Sequence, residues 1–285
     1  MIGLIKKTAP ALLLAAVSAF LLPGSAFGEV YTPETIRIGL FFKCDDRGID
    51  TALSSFEISA EKGVELGYAA EEGFIRLFPH ASPEKLIVRK DARGEPREES
   101  MGLFHVQIGE VCPDFDSASE KAEEFGRNGI EAYPVFKEEW RVCTGFYTGA
   151  DAARKAAAGD IRDKLGSGRY DVIEPDPKRI VIESEEGKVL FMLGEAGRYV
   201  QIRPGPENGL ELLSVDGKRY RGHVEIRRLD FSDMTVINIL PLEHYLYGVV
   251  PCEIETGSHP EAVKAQAVAA RTYALNNMNR YRSYG

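Results

Sequence analysis

A glutamate in an apolar run, Val249-Val250-Pro251-Cys252-Glu253-Ile254, and an arginine eighteen residues on (271 − 253), Arg271, are the side chains whose types and spacing best suit acid–base chemistry. A carboxyl walled by Val249, Val250, Pro251 and Ile254 loses hydration, which raises its pKa and keeps its proton on near neutral pH. Such a group can protonate a bridging oxygen while a sugar develops oxocarbenium character. Arg271 lies at the edge of an apolar helical stripe, where a guanidinium needs a carboxylate or a substrate oxygen as partner. Glu243, His244, Tyr245 and Tyr247 read as packing or loop-fixing groups, and Glu255 as a lesser second carboxylate. His259 stands beside a helix start, without companions that would make it a metal ligand.

Two elements must position this pair. The strand 234–240 precedes it, and a helix from Pro260 to about Tyr281 carries Arg271. Ser258 and Glu261 have capping-box spacing, Pro260 suits a first turn, and Val263, Ala267, Ala270, Ala274 and Met278 form one apolar stripe. Upstream, short strands are expected at 179–183, 189–193, 199–203, 210–215 and 223–228, punctuated by Glu186-Gly187, Gly205-Pro206 and Asp216-Gly217. Further β pieces are expected at 36–42, 55–59, 64–69 and 74–78. A charge-dense run from 89 to 100, with Gly94 and Pro96, reads as a solvated linker.

The middle of the chain holds a quasi-repeat. Phe104-His-Val-Gln-Ile-Gly109 and Trp140-Arg-Val-Cys-Thr-Gly145 are offset by 36 residues (140 − 104), and each leads into an alanine-containing helix, 117–126 and 150–165. With strands at 130–136 and 170–173 the order is βαββαβ, a ferredoxin-like arrangement. Two helices cover one face of a four-stranded sheet, which leaves the other to a ligand or to the rest of the protein. Gln107, Trp140 and Tyr147 are the candidate sugar-binding side chains, since rings stack on sugar faces and amides bond hydroxyls. The alternative for Trp140 is a core position under a helix.

Residues 102–173 resemble a SPOR domain, through the Phe104–Gly109 strand, Ala118 and Ala122 at helical spacing, and the Trp140–Gly145 strand running into Phe146 and Tyr147. That resemblance implies binding to glycan strands stripped of stem peptides. The run Leu240-Pro-Leu-Glu-His-Tyr-Leu-Tyr-Gly-Val-Val-Pro-Cys-Glu253 and the helix Glu261-Ala-Val-Lys-Ala-Gln-Ala-Val-Ala-Ala-Arg-Thr-Tyr-Ala274 resemble the SpoIID/LytB family. This second resemblance implies a peptidoglycan lytic transglycosylase, with Glu253 as acid and then base and Arg271 in the active site. It equally allows a non-catalytic wall-binding protein or a modifier of other wall hydrolases. Family domains run beyond this helix and some carry zinc-binding His and Cys, so the resemblance implies a partial domain and no cofactor visible in these residues. The strand 36–40 also resembles the start of such proteins, as though the inserted module split the family domain.

Bulk properties agree with a globular, exported protein. The 285 residues carry 44% hydrophobic side chains, enough for real cores. A net charge of −9 argues against nucleic acid as the main partner, because phosphate binding needs a basic surface. Lys6 and Lys7, the apolar run 11–22, and Ala26 with Gly28 form a signal-peptide pattern, with an uncleaved membrane anchor as the alternative; either places the protein outside the cytoplasm, secreted or membrane-anchored at the cell wall. Cys44, Cys112, Cys143 and Cys252 contain no CxxC pair and read as buried thiols, with one bridge as the alternative. The expected organisation is α+β: signal peptide 1–28, β segment 29–88, linker 89–101, SPOR-like domain 102–174, and the SpoIID/LytB part 178–285 ending in a long helix.

Overall fold

A computed structural model describes residues 33–70, 73–80, 82–91, 103–194, 198–205, 211–229, 231–255 and 257–278. The expected signal peptide and positions 92–101 of the expected linker lie outside the described residues. In chain order the strands before the linker are β1 (Thr35–Phe41), β2 (Lys43–Cys44), β3 (Ile49–Asp50), β4 (Ser55–Ala60), β5 (Val64–Ala70), β6 (Gly73–His80) and β7 (Leu86–Lys90). The middle of the chain forms β8 (Phe104–Ile108), α1 (Phe115–Arg127), β9 (Ala132–Phe136) and β10 (Trp140–Tyr147). After these come α2 (Ala150–Ala156), a π turn, α3 (Arg162–Leu165) and β11 (Tyr170–Ile173). The last third contains β12 (Ile180–Ser184), β13 (Val189–Leu193), β14 (Val200–Pro204), β15 (Leu213–Val215), β16 (Lys218–Tyr220), β17 (His223–Arg227) and β18 (Thr235–Pro241). It closes with α4 (Leu242–Glu253) and α5 (Pro260–Asn276).

The protein is α+β, and two large sheets pack on a shared core. A six-stranded sheet runs β1-β18-β17-β14-β5-β6, and a ten-stranded one β11-β8-β10-β9-β13-β12-β7-β4-β15-β16. The β1 strand pairs antiparallel with β18, Ile36 opposite Leu240, so the start of the described chain and the strand before the candidate site share one sheet. β12 shows why the layers hold. Ile180 and Ile182 enter the inter-sheet core with Phe191 and Val88, while Val181 joins Tyr133, Cys143 and Met192 on the opposite face. A strand buried on both sides reads as a continuous apolar run, as Ile180-Val181-Ile182 does. Burying a ring such as Phe191 contributes about 1.5–3 kcal/mol.

Strands β11-β8-β10-β9 pair antiparallel throughout, with α1 and α2 packed on the face that carries Trp140, Val142, Val106 and Ile108. This sheet is not closed at four strands. β9 continues into β13 through a parallel pair, Val135 opposite Met192. The face away from the helices is not free either, since His105, Tyr133 and Cys143 are all buried.

Part of the run read as a linker is structural. Arg89 and Lys90 belong to β7, paired with β12, and Asp91 is wholly buried. Asp91 Oδ2 receives Arg179 Nη1 at 3.1 Å and faces His105 Nε2 at 3.2 Å. His105 Nδ1 lies 2.7 Å from the Gly145 carbonyl, to which the Tyr133 hydroxyl also donates at 2.6 Å. Arg179 donates in addition to the Glu174 carbonyl, and its own carbonyl accepts from Arg228. Burial pushes the neighbouring Cys143 thiol up to about 12, leaving it inert. All four cysteines are free thiols, and Cys252 alone among them is exposed.

His223 on β17 gives the fold a pH dependence. Burial, with the positive charges of Arg203 and Arg37, pushes its imidazole down to about 4 against the opposing pull of Glu225. The unfolded chain takes up this proton near 6.5 and the folded chain only near 4, so this stability is intact above pH 6.5 and is lost as pH falls toward 4. Urea unfolding at pH 7 and pH 4.5 should therefore differ by roughly 2–3 kcal/mol from this group. His223→Gln should shrink the difference; an unchanged pH dependence would refute the assignment.

Candidate functional site

Helix α4 occupies the stretch that the sequence presented as a strand-to-helix junction. Pro241, Gly248, Pro251 and the β-branched pair Val249-Val250 mask its helical period. Leu242, Leu246 and Val250 nevertheless recur every four residues, and all three are buried. Pro251 lies in the last turn, where its missing N–H removes one helical hydrogen bond, and the chain becomes extended at Ile254. Across from this stripe, α5 presents Val263, Ala267 and Ala270 to Leu246 and Val250, while Ala274 and Leu275 pack near Ile36 and Leu240. Met278, expected on the same stripe, is exposed. The N-cap of α5 is His259, whose Nδ1 accepts from the Glu261 amide at 3.2 Å, and not Ser258.

Glu253 is the last residue of α4 and is exposed. The expected apolar wall does not enclose it, because Val250 turns into the helix–helix core and Pro251 is exposed. Its charge is felt at Tyr245, whose hydroxyl is pushed up by burial first, then by Tyr273 and Glu253. Arg271 has the carboxylate partner that its position called for, and that partner is Glu243. Nε reaches Oε1 at 2.9 Å and Nη2 reaches Oε2 at 2.8 Å, a two-pronged fork between the helices. The same hydrogen bonds hold the Glu243 carboxyl below its usual range and raise Arg271. Sequence reasoning missed Glu243 because its role depends on α4 being a helix, which places position 243 in the first turn, facing α5. Tyr247 and Tyr273 remain more than 60% exposed, the former stacked near His244 and under the Arg221 guanidinium at 5.4 Å.

The three side chains expected to hold sugar are not brought together. Trp140 is 5% exposed and packed among Phe115, Phe136 and Phe191, so it has no free ring face and fills the core. Gln107 is buried on the opposite face of the sheet, its amide donating to the Gly109 carbonyl. Tyr147 is half-buried and packs with Ala153 and Ala157 on the α2 side. Gly145, at φ +71°, lets the Tyr147 ring fold back over it; a Cβ there would overlap the ring. Among the described residues no group of three or more His, Cys, Asp or Glu side chains could hold a metal, and no helix is long and apolar enough to cross a membrane.

The fold and site thus define an α+β protein whose two-sheet body leads into a helical hairpin bridged by a solvent-exposed arginine–glutamate fork. Residues 230–284, which include that hairpin, match the family described as SpoIID, Stage II sporulation protein. Stage II sporulation protein D of Bacillus amyloliquefaciens is 36% identical over 93 residues, 32% of this chain and 27% of that protein. An uncharacterized protein of Brachyspira hyodysenteriae is 43% identical over 64 residues, 22% of this chain and 17% of its own length. The matched segments therefore span little more than a quarter of these relatives at most. No solved structure gives a significant match.

Proposed function

We propose that the protein works on the cell wall outside the cytoplasm as a peptidoglycan lytic transglycosylase, with Glu253 as the acid and then the base. In that reaction Glu253 gives its proton to the leaving glycosidic oxygen as the anomeric C–O bond breaks. The muramyl 6-hydroxyl then forms the new bond to the anomeric carbon and returns its proton to Glu253, so no water is consumed. Arg271, oriented by Glu243, places positive charge beside the reacting sugars. The observation that carries this reading is the Glu243–Arg271 fork on the two helices of the SpoIID-matching hairpin, with Glu253 at the end of the first.

A non-catalytic wall-binding protein is the second reading, favoured by the exposure of Glu253 and by Arg271 being already engaged by Glu243. The antiparallel order β11-β8-β10-β9 supports a ferredoxin-like, SPOR-like module, although burial of Gln107 and Trp140 moves any glycan contact to other residues. Incubating purified glycan strands with the protein and examining the products by mass spectrometry separates the readings. Anhydro-ended fragments support the lytic enzyme. Strand binding without such fragments leaves the binding protein.

A further inference from the structure

An open groove of about 830 Å³ lies where β6, the edge of the six-stranded sheet, meets the loop into α1 and the β9–β10 turn. Its floor is apolar, formed by the partly exposed Leu77, Phe115 and Phe136, with Trp140 packed behind them. These rings are held by packing on one another and on Phe78 and Phe191, with centroids 4.6–6.5 Å apart. The rim is acidic, with Asp114, Asp116, Glu138 and Glu139 against the single cation Arg76.

Partners inside the protein account for most of these charges. Arg76 donates to Glu65 at 2.9 Å, Asp114 caps α1 by accepting from the Ser117 amide at 2.8 Å, and Glu139 lies 3.5 Å from Arg141. Asp116 and Glu138 have no hydrogen bond or ion pair among the described residues, and they approach the groove from the first turn of α1 and from the β9–β10 turn. The groove therefore couples an apolar floor to two unneutralised carboxylates on different elements. An anion would be repelled, and a purely apolar segment would leave the carboxylates without a counter-charge. An aliphatic chain tipped with an ammonium meets both demands, its methylenes on the rings and its charge at the rim.

We propose that this groove binds the ammonium-bearing side chain of a diamino-acid residue in a peptide, of the lysine type. The proposal rests on the groove alone and stands whether or not the hairpin cleaves glycan. A short peptide with one free lysine, and the same peptide with that lysine acetylated, are titrated into the full chain by calorimetry. The free-lysine peptide should bind saturably, and acetylation should weaken it about tenfold or more by removing the charge. Asp116→Asn combined with Glu138→Gln should bring a similar loss without changing the melting temperature, since both side chains are exposed. Raising the salt concentration should weaken binding. Absence of saturable binding, equal binding of the acetylated peptide, or wild-type affinity in the folded double variant would each overturn the proposal.

Discussion

Glu253→Gln is expected to lower cleavage of purified glycan strands by about 10²–10⁴-fold, the span a positioned general acid contributes, while strand binding persists. The amide keeps the shape of the side chain and its hydrogen-bonding reach but has no proton to give the leaving oxygen and cannot take one back. Since Glu253 ends α4 and is exposed, the change should leave the fold alone. Melting curves of the two proteins should therefore coincide, which separates a chemical loss from a structural one. Release of anhydro-ended products, followed by mass spectrometry, reads the effect. A variant that cuts as fast as the parent would remove Glu253 from the reaction.

Asp91→Ala is expected to cost the fold about 3–5 kcal/mol, the usual penalty for stripping one partner from a buried ionic group. Arg179 and His105 both point at Asp91 Oδ2, and none of the three has meaningful solvent access. Without the carboxylate, the Arg179 guanidinium stays buried with the Glu174 carbonyl as its one remaining side-chain acceptor among the described residues. Such a loss is a large share of the ~5–15 kcal/mol that holds a typical domain together. Urea denaturation at pH 7 measures it directly. Asp91→Ala with Arg179→Met should regain part of the loss, because the second change removes the orphaned charge. A cost below about 1 kcal/mol for the single variant would mean that water reaches the site.

The local alphabet of this chain was largely legible. Alternation and apolar runs marked most of the long strands to within a residue or two, as with 64–69 against the observed Val64–Ala70 and 189–193 against Val189–Leu193. Helix α5 was visible from its stripe, and the motif around Glu253 and Arg271 announced the family that residues 230–284 match. These readings succeed because side-chain period and composition are properties of a few neighbouring residues.

Partnership was not legible in the same way. Thr35–Phe41 looks like a strand from its own residues, but nothing in them names β18, about two hundred positions later, as its neighbour. Asp91 sits in a charge-dense run that any local reading assigns to solvent, yet β7 carries it beneath Arg179 and His105, where ion pairing offsets the cost of burial. Trp140 could have offered a ring to a sugar or filled a core, and only the approach of Phe115, Phe136 and Phe191 decided for the core. The sequence position of Arg271 called for a carboxylate or a substrate oxygen, and the helix formed by 242–253 supplies a carboxylate, Glu243. The amino-acid order by itself therefore determined which elements form and what chemistry their side chains carry. Which groups meet was decided by packing between distant segments, since burial and pairing energies arise only when the sheets and helices close on one another.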